Sequence, residues 1–292
     1  MKNIKYDQLL KKESKAFDNQ TRKRINKGFV PDLQNLKKIN WFYNNPWRDP
    51  KIFDIHWGEI INKIIKESKY KNNKILEIGC GSGFLTLELA RNGLDVTGID
   101  ISAYSISIAN KYKEKNKTTK GFGELNYICC NFLEFFSKTK FDTIIFFRSL
   151  HHFPDINQVF KKIHKLSKKN TKLLIFEPVR ENFNFNSALI AMIIRLILPT
   201  WINYKSKIPK KISINSINMI LNDITNEYTY QNNKGNTVQS LLDNSISDEA
   251  QILKFVKKYF KIYDYSTQDS ISDKIIGGIR GKDRYILAKF IK

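Results

Sequence analysis

Three glycines within five residues mark a place where the backbone must come close to a ligand. Gly79, Gly81 and Gly83 directly follow the apolar run ILEI at residues 75–78. A strand, a glycine turn and a helix form a seat for an anion or a nucleotide, because the helix N-terminus offers free N–H groups and glycine permits close approach. The spacing G-x-G-x-G is neither the dinucleotide fingerprint nor a P-loop.

A carboxylate at the end of the next predicted strand supplies a second part of this binding site. Asp100 ends the stretch VTGID, about one strand–helix–strand unit downstream of the glycines. An acidic side chain at that position accepts hydrogen bonds from both hydroxyls of a ribose. Because a carboxylate would repel a phosphate there, the pattern predicts a ligand with a free 2′-hydroxyl.

A cluster of ionisable residues follows the predicted strand FDTIIFF and could carry the chemistry. His151 and His152 are candidates for a general base, since a neutral imidazole can take a hydroxyl proton near pH 7, and we favour His151 slightly. The alternative is that both histidines only shape the pocket. Arg148 could bind an acidic group of the substrate or form a salt bridge. Asp155 is the one nearby acid, so we expect no metal site.

Alternating strand-like and helix-like segments must position these residues. From Lys74 onward the pattern predicts strands at KILEIG, DVTGID, NYICC, FDTIIFF and TKLLIFEP, most of them separated by helices. Ser102 is a predicted N-cap, Gly93 closes a helix, and helical periodicity also runs from about Asp54 to Lys69. This alternation predicts an α/β fold with a doubly wound, mainly parallel sheet.

The alternation of predicted strands and helices stops after Glu177-Pro178 and resumes near the C-terminus. Residues 181–244 are rich in Asn and irregular, with one long apolar run. A helix is predicted over SDEAQILKFVKKYF, with Ser247 as its cap. The last two predicted strands, KIYDYST and RYILAKFI, flank a connection that contains glycine. We expect them to form a closing antiparallel pair.

Taken in order, these motifs resemble those of the class I S-adenosylmethionine (SAM) dependent methyltransferases. ILEIGCGSG is similar to the first motif of that family, VTGIDIS to the second, CNFLEF to the adenine-contacting motif, and FDTIIFFRSLHHFPD to the fourth. KLLIFEP resembles the strand that follows. The resemblance covers residues 74–178 and implies a Rossmann-like, seven-stranded sheet, mainly parallel with a closing antiparallel strand. It also implies SAM as cofactor and S-adenosylhomocysteine as product.

The resemblance also assigns roles to particular residues. It implies that the Glu77 carboxylate faces the SAM ammonium, that the three glycines line the methionine tail, and that Ile101 packs on the adenine. Asn131 stands where the family often has Asp, and its amide oxygen can accept from the adenine amino group. The residues that we expect to contact the cofactor are Glu77, Gly79, Cys80, Gly81, Gly83, Asp100, Ile101, Asn131, Phe132 and Phe147.

Four parts of the chain are expected from these patterns. They are an N-terminal extension or lid (residues 1–53), the SAM-binding core (54–180), a cap insertion over the substrate site (181–244) and a C-terminal helix with strands that complete the core (245–292). The signature that amino-group methyltransferases for nucleobases carry is absent, and FFRS stands in its place. We therefore expect methyl transfer to an oxygen, or less favourably a carbon, of a small-molecule, glycan or lipid-linked acceptor.

The charge of the chain leaves other functions open. The formal net charge is +22, which can attract nucleic acid or an anionic membrane surface, although genomic composition alone can enrich lysine. An RNA methyltransferase and a SAM-binding protein without catalysis are the alternatives. The three cysteines match no zinc spacing and the N-terminus has no apolar secretory segment, so we expect reduced thiols and a cytoplasmic protein.

The apolar run SALIAMIIRLILP at residues 187–199 is too short to span a bilayer. A tryptophan and a basic segment follow it, namely Trp201, Lys205, Lys207, Lys210 and Lys211, and such a helix can lie in a membrane interface. The run falls where quinone-pathway O-methyltransferases carry a membrane-touching insertion, and GFVPDLQNLKKINWFYNNPWR loosely resembles their lead-in. A lid over the substrate, with Tyr43, Trp47 and Arg48 on its other side, or a dimer contact are equally open.

Overall fold

A seven-stranded sheet forms the centre of the molecule. The computed structural model describes residues 2–39, 46–70, 72–153, 155–179, 249–268 and 282–291, together with residues 186, 189–190, 192–193, 213–219 and 221. The strands are β1 (Lys74–Ile78), β2 (Asp95–Asp100), β3 (Leu125–Cys129), β4 (Phe141–Phe147), β5 (Ser167–Val179), β6 (Phe260–Gln268) and β7 (Lys282–Phe290).

The order of the strands confirms the predicted fold class. Across the sheet they run β3-β2-β1-β4-β5-β7-β6, and the first five pair in parallel. Strand β7 is antiparallel to both of its neighbours, β5 and β6, so the predicted closing pair is confirmed. The order reverses at β1, and open α/β sheets bind ligands beyond the carboxyl ends of the strands at such a switch point.

Helices cover both faces of the sheet, most of them through an apolar side. They are α1 (Lys2–Asn26), α2 (Pro50–Phe53), α3 (Glu59–Ser68), α4 (Phe84–Arg91), α5 (Ala103–Asn116), α6 (Ile156–Leu166) and α7 (Glu249–Tyr259). Residues of α6 and α7, such as Phe160 and Val256, are fully buried against one face. Residues of α3 and α4, such as Ile64 and Leu85, are fully buried against the other. A π-helical turn, Asp54–Gly58, joins α2 to α3.

Local signals place the ends of several helices where the sequence predicts them. The Ser102 hydroxyl caps α5 by accepting from the Ser105 backbone N–H at 3.0 Å. Gly93, with a φ of +77°, follows the last turn of α4 in the left-handed conformation that commonly ends helices. The predicted start of α5 and the predicted end of α4 are therefore confirmed.

The N-terminal helix was not foreseen from the sequence, which indicates only a polar and basic segment there. Helix α1 has 25 residues and packs beside α5. Polar side chains contribute to its position: the Thr21 and Ser105 hydroxyls lie 2.7 Å apart, and the Ser14 hydroxyl donates at 2.9 Å to the carbonyl of Ile101, just before α5. Prediction of a helix from the sequence relies on apolar residues that recur on one face. Because α1 has no wide apolar face, the periodicity of apolar residues does not predict it.

Several expected features lie outside the described residues. These are Trp41 to Tyr43, most of the run 187–199, the basic segment with Trp201, and nearly all of the expected cap 181–244. Within the part that is described, no helix has the length and apolar character needed to cross a membrane.

Candidate functional site

The glycine turn has the backbone conformation that its residue types require. Gly79, Gly81 and Gly83 have φ angles of +75°, +54° and +82°, which side chains rarely tolerate. A Cβ on Gly79 would lie 2.5 Å from the Cβ of Ser149, so the turn packs tightly on the end of β4. A Cβ on Gly81 would meet no atom of the described residues within 4 Å. The turn is therefore packed on one side and open at Gly81.

Asp100 faces this opening from the end of β2. One carboxylate oxygen accepts from the Gly81 backbone N–H and the other from the Ser102 backbone N–H, both at 2.8 Å. Burial raises the pKa of Asp100, although these two hydrogen bonds oppose that shift. Each oxygen keeps a lone pair for a further donor. The predicted proximity of Asp100 and the glycine turn is thus present in the folded chain.

Glu77 is the most unusual acid of the site. It is 2% exposed at the penultimate position of β1, and its Oε2 is buried with no hydrogen-bond partner among the described residues. Burial, and then the negative charge of Asp100, raise the pKa of Glu77 well above its ordinary value. A buried carboxylate with one unpartnered oxygen is costly. A cationic group beside it would remove much of that cost.

The other residues expected around the cofactor differ in their surroundings. Ile101 is half-buried at the end of β2, and Phe132 is 3% exposed in the core, with its ring centroid 5.9 Å from that of Phe153. The Asn131 amide oxygen accepts from the Leu133 N–H at 3.1 Å, while its amide nitrogen donates to Glu134. Asn131 therefore caps its own turn.

The two remaining expected contacts line the turn and its aromatic side. Burial raises the pKa of Cys80 well above its ordinary value, so this thiol stays protonated near neutral pH. Phe147 is 6% exposed and ends β4. Its ring lies 5.6 Å from that of Phe84 and 5.9 Å from that of Trp57. Phe147 therefore belongs to an aromatic cluster beside the glycine turn.

Beyond β4, the chain turns sharply and presents the two histidines. Arg148 has a φ of +57°, and its N–H donates to the Phe176 carbonyl at 2.7 Å. The Ser149 hydroxyl donates to the Ile78 carbonyl at 2.6 Å, which ties this turn to the glycine turn. His151 is buried and His152 is half-buried, with their ring centroids 4.0 Å apart.

Glu177 organises this turn from the neighbouring strand β5. Its Oε1 accepts from the Ser149 and Leu150 backbone N–H groups at 2.7 and 2.5 Å, and its Oε2 lies 2.7 Å from Nδ1 of His151. Burial raises the pKa of Glu177 to about 7, against the lowering effect of those N–H groups and of the His152 and Arg148 charges. An ionised Glu177 accepts from Nδ1–H, which leaves Nε2 of His151 as the basic nitrogen.

Helix α1 forms an outer wall across the carboxyl ends of the strands. Asp18 Oδ1 accepts from the Ser102 hydroxyl at 2.6 Å and from the Tyr104 N–H at 3.0 Å, beside the end of β2. The Phe17 ring makes an edge contact with His152 at 5.0 Å, beside the end of β4. Since β1 lies between β2 and β4, α1 bridges the two sides of the glycine turn.

Sequence reasoning missed two groups of residues here. Glu177 lies in the motif KLLIFEP, from which no role for it is predicted, although an acid that ends an apolar strand is a detectable signal. Asp18, Phe17 and Ser14 lie in a segment with no motif. Of the expected residues, Glu77, the glycines, Asp100, Arg148 and the histidines all lie at the same edge of the sheet. No group of three or more His, Cys, Asp or Glu among the described residues is arranged to hold a metal.

Comparisons with known proteins agree with this geometry. The family model "Methyltransferase domain" matches residues 69–212. A ubiquinone biosynthesis O-methyltransferase of Pelagibacter ubique is 31% identical over 159 residues, which are 52% of this chain and 64% of that protein. The chain spans between 46% and 64% of the length of the first curated relatives that it matches.

Solved structures share the fold at low sequence identity. A SAM-dependent methyltransferase from Methanosarcina mazei has a TM-score of 0.54 at 20% identity, over 78% of this chain and 97% of that one. Magnesium protoporphyrin IX methyltransferase from Synechocystis, solved with bound SAM, has a TM-score of 0.51 at 13% identity, over 94% and 97%. The match of the family model begins just before β1 and includes the glycine turn, Asp100 and Glu177. Residues 69–212 therefore match the methyltransferase-domain family, and the chain has the fold of S-adenosylmethionine-dependent methyltransferases.

Proposed function

We propose that this protein transfers a methyl group from SAM to a hydroxyl oxygen of a small-molecule acceptor. The observation that carries the proposal is the buried hydrogen bond between Glu177 and Nδ1 of His151, directly beside the glycine turn. A histidine whose Nδ1 is fixed by a carboxylate has a basic Nε2 that can take a proton from an acceptor.

The residues around the turn fit a SAM molecule. Glu77 would face the ammonium group, because its buried and unpartnered Oε2 needs a cation. Gly81 has no described atom within 4 Å of where a Cβ would stand, and it would let the methionine tail approach the main chain. Asp100 would accept from the ribose hydroxyls and Ile101 would contact the adenine. When bound, SAM supplies a methyl group on a positively charged sulfur.

His151 and Glu177 act on the acceptor in this proposal. Glu177 holds the imidazole by Nδ1, so that Nε2 removes the proton of an acceptor hydroxyl. The two backbone N–H groups that bind Glu177 keep its carboxylate in place. His152, which contacts Phe17 of α1, lines the pocket. A base at this place suits a hydroxyl acceptor, because the oxygen becomes a stronger nucleophile once its proton is removed.

Helix α1 would act as a lid over the cofactor. It contacts Ile101 and Ser102 on one side of the glycine turn and His152 on the other. A ligand between these two sides would lie beneath α1, so exchange of cofactor would require the helix to move. A moving wall of this kind also excludes water from the reaction.

The acceptor class is inferred from relatives and from the sequence. Several relatives are named ubiquinone biosynthesis O-methyltransferases, and the stretch Asn45-Pro46-Trp47-Arg48 loosely resembles the lead-in of quinone-pathway enzymes. An aromatic or lipid-linked hydroxyl compound is therefore the acceptor that we propose. The aromatic cluster of Trp47, Trp57 and Phe147 offers apolar surface near the turn.

Binding and transfer can be tested separately. Calorimetry should detect SAM and S-adenosylhomocysteine binding, and Asp100→Ala should remove most of the thermal stabilisation by either compound because the ribose loses its acceptor. A tritiated-methyl assay with catechol and with extracted lipids would then measure transfer to oxygen. A folded protein that binds neither compound would contradict the proposal.

A further inference from the structure

Tyr127 of β3 reaches toward the glycine turn, because the strand between them leaves room for its side chain. Gly98 of β2 pairs with Glu77 of β1 on one side and with Tyr127 on the other, so the three residues form a row on one face of the sheet. A Cβ on Gly98 would lie 3.0 Å from the Tyr127 ring and 3.0 Å from the Thr86 methyl group of α4. The absence of a side chain at Gly98 therefore lets Tyr127 lean across β2 toward α4.

The Tyr127 hydroxyl binds the last residue of the glycine turn. It donates to the Gly83 carbonyl at 3.0 Å. The Thr86 hydroxyl lies 2.9 Å from the same carbonyl and 2.8 Å from the Tyr127 oxygen. The Gly83 carbonyl also accepts from the Leu87 N–H at 2.9 Å, which is the first hydrogen bond of α4. Two hydroxyls thus hold the residue at which the glycine turn becomes a helix.

A turn with three glycines needs contacts from outside to keep one conformation. Glycine loses more conformational freedom on folding than any other residue, and Gly83 has a φ of +82°. A Cβ on Gly83 would clash with the Tyr127 hydroxyl, so the tyrosine fills the space that a side chain would need. The hydroxyls of Tyr127 and Thr86 therefore stabilise a turn whose glycines have no side chains for this purpose.

The same two residues border the Glu77 carboxylate. Thr86 lies over Gly98, which is the neighbour of Glu77 in the sheet. Burial and the charge of Asp100 raise the pKa of Glu77, and a hydrogen bond from the Thr86 backbone N–H opposes that rise. Burial raises the pKa of Tyr127 well above its ordinary value, so its hydroxyl keeps its proton near neutral pH. The first turn of α4 therefore connects the two hydroxyls to Glu77.

We propose that Tyr127 and Thr86 are positioning residues whose hydroxyls hold Gly83 and the first turn of α4 in the conformation that binds the amino-acid end of SAM. The inference rests on the proposed function, which places that end between Glu77 and the glycine turn. Both hydroxyls act through the main chain of the turn. Because the adenosine end lies at Asp100 instead, the loss of either hydroxyl weakens ligands that carry the amino-acid end and spares those that lack it.

The test compares S-adenosylhomocysteine with 5′-methylthioadenosine, which lacks the amino-acid end. Calorimetry on the full chain should show that Tyr127→Phe and Thr86→Val each weaken S-adenosylhomocysteine by about fivefold and 5′-methylthioadenosine by less than about twofold. Thr86→Ser keeps the hydroxyl and should behave like the wild type. Tyr112→Phe is the matched control, because it removes a hydroxyl from a tyrosine that packs against the same apolar cluster and leaves both contacts to Gly83 intact.

Three outcomes would overturn the inference. The first is unchanged affinity for S-adenosylhomocysteine in either Tyr127→Phe or Thr86→Val. The second is an equal loss for both ligands, which would give the two hydroxyls a general structural role. The third is a wild-type protein that binds both ligands equally well, because the amino-acid end would then have no site at the turn.

Binding of 5′-methylthioadenosine also shows that each variant is folded. If Tyr127→Phe does not fold, the comparison of Thr86→Val with Thr86→Ser decides, and equal losses in these two variants would overturn the inference. A folded wild-type protein that binds neither ligand would instead contradict the proposed function.

Discussion

At the scale of single residues, Glu77 is a buried acid whose Oε2 has no hydrogen-bond partner in the part of the chain that the structure describes. Replacing it by Gln removes the cost of burying a carboxylate, so we expect the ligand-free protein to be at least as stable. The same change should weaken S-adenosylhomocysteine binding at least tenfold, because an amide cannot neutralise an ammonium group. Thermal unfolding and calorimetry would measure both effects.

Glu124→Gln is the control for this prediction, since Glu124 is exposed and lies on the loop before β3. It should change neither quantity. Unaltered affinity in Glu77→Gln would show that the ammonium group lies elsewhere.

Glu177 sets a pH dependence for the proposed base. The carboxylate is ionised above its pKa of about 7 and then accepts from Nδ1–H of His151, which leaves Nε2 basic. Below that pH the acid is protonated and the pair loses this arrangement. We therefore expect kcat to rise with pH through about 7. Because Glu177 and His151 titrate together, the apparent pKa of this rise belongs to the pair and not to either residue alone. A rate that stays constant from pH 6 to 8 would contradict this role.

Glu177→Gln tests the same pair without a change of pH. The amide nitrogen would donate to Nδ1 of His151, so that the proton resides on Nε2 and the base is lost. We expect kcat to fall by about 10² to 10⁴, which is the usual contribution of a general base. The KM for SAM should change little because Glu77 and Asp100 are intact. Tritiated-methyl kinetics would measure both, and a variant with the wild-type kcat would exclude Glu177 from catalysis.

At the scale of elements, the contact between α1 and the N-terminus of α5 links the proposed lid to the cofactor site. Asp18 binds the Ser102 hydroxyl and the Tyr104 N–H, and the Ser102 N–H in turn binds Asp100. We expect Asp18→Ala to loosen α1 and to release S-adenosylhomocysteine about tenfold faster. Hydrogen exchange of α1 and stopped-flow displacement would report these two effects.

Asn19→Ala is the matched change on the exposed side of α1. It should leave both measurements at their wild-type values. If Asp18→Ala also behaves like the wild type, α1 does not control access to the cofactor.

At the scale of the whole molecule, the net charge of +22 and exposed apolar residues suggest contact with an anionic membrane. Ile190 and Ile193 are 36% and 47% exposed and lie three residues apart, whereas Met192 is buried. We expect the protein to float with anionic vesicles at low salt and much less with neutral ones. Ile190→Ser combined with Ile193→Ser should reduce flotation at every salt concentration.

Salt separates the two contributions to this binding. Charge attraction weakens as salt rises, whereas apolar insertion does not. Protein that stays in the soluble fraction with anionic vesicles at low salt would rule out the membrane contact.

Features that depend on neighbouring residues could be predicted from the amino-acid sequence. The glycine turn, the N-cap Ser102 and the alternation of strands and helices are local, because backbone conformation and the period of apolar residues are set within a few positions. These patterns located Asp100 opposite the glycines and foresaw the closing antiparallel pair. They also predicted the edge of the sheet at which His151 lies, since the carboxyl ends of parallel strands meet there.

Contacts between polar groups that are distant in the chain could not be predicted and follow from the fold. Glu177 and His151 are 26 residues apart and pair because β5 lies next to β4. Asp18 and Ser102 are 84 residues apart and meet because α1 crosses onto α5. Such contacts depend on the order of strands and the docking of helices, and the apolar core sets both. No local sequence pattern predicts these contacts, because the type of a polar residue and its neighbours in the chain do not identify its distant partner.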